Sequence, residues 1–160
     1  MSLYIDVAFG CYSDGKGQAG CYTMLNKTLV NEITKKLKMV TKDSTDSELV
    51  ALSDHVHEAM VMTEFLEAQG MKLKTPVIYQ DNASTITLVT KGGGKPRTKY
   101  LRVRQEMVKE LIQKKWIEIV FIGTNWMIAD VLTKSLQGDE YHKFSLILLE
   151  YDVEGFQWMN

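Results

Sequence analysis

Cysteine is nearly absent, with Cys11 and Cys21 the only two in 160 residues. They give neither a metal-type spacing nor a disulfide framework, so reduced thiols in a cytoplasmic setting are expected. Long apolar runs are missing as well. Nothing approaches the roughly 18 unbroken apolar residues of a membrane span, so no membrane partner is expected. The first dozen residues are apolar but hold Asp6 and no basic lead, which argues against a signal peptide. Histidine is scarce: His55, His57 and His142 pair with no cysteine, and His55 and His57 point to different helix faces. They read as surface or packed residues, not zinc ligands.

Repeats, low-complexity tracts and linkers are also lacking. One domain over 1–160 is therefore expected, with its core over about 3–136 and a C-terminal helix and tail over 137–160. Apolar residues at 45% and charged residues at 24% place the chain with folded globular proteins and exclude disorder. The net charge of −1 hides an uneven distribution. Residues 91–115 carry Lys91, Lys95, Arg97, Lys99, Arg102, Arg104, Lys109, Lys114 and Lys115 against Glu106 and Glu110 alone. Three glycines and a proline at the start of this segment read as a flexible arm suited to a nucleic-acid backbone. A solvated charged face is the alternative reading.

Hydropathy periods divide the chain into elements. Leu3–Phe9 is a short β-prone stretch interrupted by one carboxylate, and residues 12–17 are a turn cluster. Ala19–Leu25 and Leu29–Met39 predict two more strands, the last with its apolar residues on shifting faces, as a bulge produces. From Ser44 or Thr45 as N-cap, steps of three and four through Leu49, Leu52, Val56, Ala59, Thr63 and Leu66 predict a helix to Gln69, ended by Gly70. Thr75–Gln80 is a fourth strand, then come helices over Ala83–Lys91 and Lys99–Lys114, and a fifth strand over Trp116–Ile122. Helices over Met127–Lys134 and Glu140–Leu149 close the chain. The fold class expected is α/β: a five-stranded mixed sheet, three antiparallel strands then two parallel, flanked by helices.

Four acids stand where a packed element should carry no charge. Asp6 interrupts the first strand, Asp81 follows the fourth, and Asp130 sits between Ile128-Ala129 and Val131-Leu132. Glu48 lies at the start of the long helix. Singly, Glu48 reads as a helix-dipole partner and Asp81 as a cap. Together they can converge at one end of such a sheet, where ligands gather. Buried carboxylates coexist only with cations, and four of them suit hard divalent ions such as Mg²⁺ or Mn²⁺. Two such ions about 3.5–4 Å apart promote phosphodiester cleavage.

Five motifs, in order, carry a resemblance. They are Asp6-Val-Ala-Phe-Gly10, Ser44-Thr-Asp-Ser-Glu48-Leu-Val-Ala-Leu-Ser53, Tyr79-Gln-Asp81-Asn82-Ala-Ser-Thr-Ile, Arg97-Thr-Lys99-Tyr-Leu-Arg-Val-Arg104 and Ile128-Ala-Asp130-Val-Leu-Thr-Lys134-Ser-Leu136. Over about Tyr4 to Leu136 the chain resembles the ribonuclease H domain of copia-type long-terminal-repeat retrotransposon polyproteins, the domain associated with their reverse transcriptase. The resemblance implies a ribonuclease H fold and hydrolysis of the RNA strand of RNA–DNA hybrids, giving 5′-phosphate and 3′-hydroxyl ends. It implies Asp6, Glu48, Asp81 and Asp130 as catalytic metal-binding acids for two Mg²⁺ ions, with Mn²⁺ as a substitute. Asp6 would bridge both ions. Asp130 would complete the site for the attacking water, while Glu48 and Asp81 would hold the ion at the leaving oxygen. Asp46 falls on a usually acidic position and is a weaker candidate.

Substrate residues are assigned by charge and motif: Asn82 to a sugar or phosphate, and Arg97, Lys99, Arg102 and Arg104 to DNA-strand phosphates. The partners implied are an RNA–DNA hybrid and a reverse transcriptase domain N-terminal to this one, in the cytoplasm or in a virus-like particle of an active element. The chain departs from the family pattern at Tyr100, where histidine is frequent, and at Ser135, where proline is usual. It has one acid in the first motif where many copia-type sequences have two, and no histidine between Phe121 and Met127. An integrase-like strand transferase draws a late glutamate from a C-terminal helix, which the early Glu48 and late Asp130 do not match. The non-enzymatic alternative is a weakly active nucleic-acid-binding or tethering domain of a larger reverse transcriptase.

Overall fold

A computed structural model describes residues 1–91 and 98–156. Its strands are β1 (Ser2–Ala8), β2 (Lys16–Leu25), β3 (Thr28–Val40), β4 (Val77–Gln80) and β5 (Glu118–Phe121). Its α-helices are α1 (Ser44–Ala68), α2 (Ala83–Thr90), α3 (Lys99–Gln113), α4 (Asp130–Thr133) and α5 (Gly138–Leu148), with a 3₁₀ turn at Thr124–Trp126. The five strands form one sheet in the order β3-β2-β1-β4-β5. β1–β2 and β2–β3 pair antiparallel, while β1–β4 and β4–β5 pair parallel. The expected mixed sheet is the observed one.

Strand alternation divides the core between the two faces of the sheet. Leu3, Ile5 and Val7 of β1 face α1 and α3, packing with Leu49, Leu52, Val56, Leu101 and Val108. Tyr4 faces the other way, with Tyr22, Met24 and Tyr79, against Met127, Ile128, Phe144 and Ile147. Tyr4 and Tyr79 stack with centroids 4.6 Å apart, so parallel β1 and β4 are tied by side chains as well as by their ladder. The C-terminal segment folds back onto this second face, where Phe156 lies against Tyr4 and Trp126.

β3 is one of the two outer strands and the longest strand, at 13 residues. Its register with β2 shifts twice, between Lys16 and Gln18 and between Thr23 and Met24. This is the bulged behaviour that its shifting apolar faces predict.

Two expectations need correction. The cap of α1 is Asp43, whose side chain accepts from the Asp46 N–H, so Ser44 is already helical. Glu48 then sits one turn into the helix, beyond the dipole-dominated first turn. The helix expected over Met127–Lys134 shrinks to the single turn α4. Its approach is a series of tight turns: Asp130, Val131 and Leu132 donate to the carbonyls three residues back. Met127, Ile128 and Ala129 are fully buried in this stretch, so packing against the sheet overrides helical continuity.

Candidate metal centre

The register of the parallel strands sets the site. Ser2, Leu3 and Tyr4 pair with Val77, Ile78 and Tyr79. The same register carried two residues further brings Asp6 beside Asp81, just past the C-terminal end of β4. Glu48 enters from α1. One carboxylate oxygen from each of Asp6, Glu48 and Asp81 lies within 4.8 Å of the others. Asp6 and Glu48 are almost wholly buried, at 2% and 3% exposure, and Asp81 is half-buried.

Asp130, also buried, reaches this group through Lys134. The Lys134 ammonium lies 2.7 Å from Asp130 Oδ1 and 3.8 Å from Asp6 Oδ1. The neighbouring Thr133 hydroxyl donates to Asp6 Oδ2. α4 comes this close to the sheet because Gly20, the β2 partner of Asp6, has no side chain. A Cβ there would stand 2.6 Å from Leu132 Cβ and 3.3 Å from the Ala129 carbonyl.

Neutral side chains hold the acids in place. Gln80 is fully buried, and its Nε2 donates to Glu48 Oε2 at 3.2 Å. Its Oε1 accepts from the backbone N–H groups of Asp81, at 2.9 Å, and Asn82, at 3.2 Å. Thr124 donates to Asp81 Oδ2 at 3.0 Å. Burial first, then the charges of Asp6 and Asp81, push the Glu48 carboxyl well above the usual range. Burial and Asp6 raise Asp81 in the same way. Asp130 is pushed up to about 7 by burial, against the lowering contact with Lys134. Acids held close together against their own repulsion are the electrostatic signature of a cation site.

The remaining sequence-derived candidates divide. Asn82 caps α2, its Oδ1 accepting from the Thr85 N–H. Its Nδ2 lies 3.5 Å from Ser44 Oγ. Lys99 and Arg102 are exposed at the start of α3. Arg104 is turned inward, bonded to Asp54, Ser53 and Tyr100. The bonds to Asp54 and Ser53 join α3 to α1. Arg97 lies outside the described residues. Asp46 is not part of the three-acid group.

Solved structures show what this architecture is, and curated relatives show where such sequences occur. RNase H1 from the halophilic archaeon Halobacterium salinarum NRC-1 superposes with a TM-score of 0.60 at 15% identity, covering 82% of this chain and 92% of that one. LC11-RNase H1 in complex with an RNA/DNA hybrid gives 0.58 at 13% identity, covering 82% and 92%. In sequence, the chain is 29% identical over 108 residues to the retrovirus-related Pol polyprotein from transposon TNT 1-94 of Nicotiana tabacum. It is 23% identical over 132 residues to the Ty1-DR5 Gag-Pol polyprotein of Saccharomyces cerevisiae. The chain has the ribonuclease H fold, and its homologues are retrotransposon Pol polyproteins. These matches take in 68% and 82% of this chain but 8% of each polyprotein. No family model matches the chain.

Within this ribonuclease H fold the donor set tests the expected metal. Asp6, Glu48 and Asp81 offer only carboxylate oxygens, and no histidine or cysteine joins them. Such a set fits a hard divalent ion and not zinc. Sequence reasoning missed Gln80, Thr124, Thr133 and Lys134 as supports. Lys134 alone left a signal, because it lies four residues after Asp130 and so returns to the same side of the chain.

Proposed function

We propose that the chain, as one domain over 1–160, is a metal-dependent ribonuclease that hydrolyses the RNA strand of RNA–DNA hybrids during retrotransposon reverse transcription. In that role it would act in the cytoplasm, within a virus-like particle where the element is active, beside a reverse transcriptase domain of the same polyprotein. The observation that carries this reading is the convergence of Asp6, Glu48 and Asp81 from three separate elements to within 4.8 Å. Asp130 stands at the edge of that group.

The residues divide the work. Glu48, Asp81 and one side of Asp6 would hold one Mg²⁺, and Asp6 with Asp130 would hold the second. Divalent ions so placed supply Lewis-acid charge, which favours ionisation of the attacking water and offsets charge building on the phosphate and leaving oxygen. Gln80 keeps Glu48 in register with the backbone at Asp81, and Thr124 and Thr133 fix the carboxylates of Asp81 and Asp6. Exposed Lys99 and Arg102 would take phosphates of the DNA strand, and Asn82, beside Asp81, would meet the hybrid near the scissile bond. The ends expected are 5′-phosphate and 3′-hydroxyl.

The test is a labelled RNA–DNA hybrid incubated with the purified chain in Mg²⁺ or Mn²⁺. Metal-dependent cutting of the RNA strand is expected, lost in Asp81→Asn while hybrid binding persists. Hybrid that is bound but never cut in either metal would overturn the hydrolytic reading.

A further inference from the structure

Lys134 belongs to no part of that scheme, yet it lies inside the site. Its ammonium touches the two acids that would share the second ion: Asp130 at 2.7 Å and Asp6 at 3.8 Å. Among the described residues, Lys134 supplies every ion pair that the four acids make. The two carboxylates are 3% exposed at their side chains, whereas Lys134 is 38% exposed. The acids are therefore enclosed, and the lysine side chain is partly open to solvent. Its four-carbon stem reaches in from the C-terminal end of α4 and has solvent on its outer side.

We propose that Lys134 is a resident counter-cation for the second ion position: its ammonium occupies the space between Asp6 and Asp130 and must swing out before a divalent ion can settle there. This rests on the two-ion reading of the site. Three observations point the same way. The ammonium bridges carboxylates from two different elements, β1 and α4, so it joins them much as an ion would. Thr133 takes the other Asp6 oxygen, which leaves Oδ1 turned toward Lys134. The remaining pair, Glu48 and Asp81, has neutral donors from Gln80 and Thr124 in place of a cation. The two acid pairs thus differ: among the described residues, one has a protein cation between its carboxylates and the other has neutral donors.

The consequence is a competition. A single ammonium charge holds Asp6 and Asp130 together in the absence of divalent ion, and the same charge opposes the second ion when it arrives. Removing the charge should loosen the metal-free protein and tighten its second ion. An ordinary surface ion pair would do neither.

The test compares wild type, Lys134→Met and Lys134→Arg without nucleic acid, at pH 8. Mn²⁺ binding is followed by electron paramagnetic resonance and calorimetry, and melting is followed in EDTA and in saturating Mn²⁺. For Lys134→Met, melting in EDTA about 2–4 °C below wild type is expected, with the gap closed or reversed in Mn²⁺. Its second Mn²⁺ should bind about tenfold more tightly while the first is unchanged. Lys134→Arg keeps the charge and should keep the weak second site, which separates charge from packing. A second Mn²⁺ bound no more tightly by Lys134→Met than by wild type would overturn the proposal even with cleavage intact. Failure of all three proteins to bind Mn²⁺ would overturn the metal-centre reading itself, and the proposal with it.

Discussion

Gln80 makes three hydrogen bonds from a position closed to solvent, and all three serve the acids or the backbone that carries them. Replacing it with methionine keeps the volume but orphans two backbone N–H groups and one Glu48 oxygen. Gln80→Met should cost about 2 kcal/mol or more in urea unfolding. It should also weaken Mn²⁺ binding about 10- to 100-fold, as loss of an orienting partner does. An unchanged urea midpoint would show that the amide is dispensable. His55 presents the opposite situation: it is fully buried, and among the described residues neither ring nitrogen has a hydrogen-bond partner. Burial, then the charge of Lys35, holds it down to about 4, despite the opposing pull of Asp54. Since the folded value lies below the unfolded one, the unfolded chain takes up the proton first as pH falls. Stability from this residue is complete above about pH 6.5 and is lost on descending to about 4, on the order of 3 kcal/mol in all. His55→Leu should therefore lose less stability than wild type between pH 7 and pH 4. Parallel pH profiles for the two proteins would refute this.

At the scale of elements, the approach of α4 to β2 decides whether the fourth acid joins the other three. Gly20 makes that approach possible. Gly20→Ala should push α4 outward, cost about 1–3 kcal/mol in thermal unfolding and lower hybrid cleavage more than the stability loss alone explains. Equal melting and equal cleavage would mean that the contact relaxes freely. Much of this arrangement was legible beforehand. The strands, the long helix and the mixed sheet follow from periodicity and turn residues, because periods of two and of three to four reflect local geometry. Asp6 and Asp130 stood out because each is a charge inside an apolar run. The short form of α4 was not legible, since its apolar residues suit a helix and only the sheet behind them prevents one. Nor was the inward turn of Arg104, which depends on Asp54 arriving from another helix. Gln80 gave no signal: a glutamine ending a strand usually faces water, and its role arises only when Glu48 is brought across. The cap of α1 was expected at Ser44 or Thr45 and is Asp43, because all three residues are competent caps.

Over the whole molecule, charge is separated along the chain. The segment 91–115 is strongly basic, and the carboxylates gather elsewhere. Hybrid affinity should consequently fall steeply with added salt. Lys99→Ala and Arg102→Ala should each flatten the slope of log affinity against log salt by about one. Arg104→Ala should leave that slope alone and lower the melting temperature instead, because its partners are Asp54 and Ser53. A flattened slope in Arg104→Ala would return that residue to the nucleic-acid surface. The outer strand β3 has a different consequence. Among the described residues, no strand pairs with its outer side along these 13 residues, a length that could template a strand from another copy. Yet it carries exposed Glu32, Lys36 and Lys38, and its register is broken twice. Charges and kinks of this kind make an edge hard to extend, so crowded copies of the domain should stay apart instead of growing into a shared sheet.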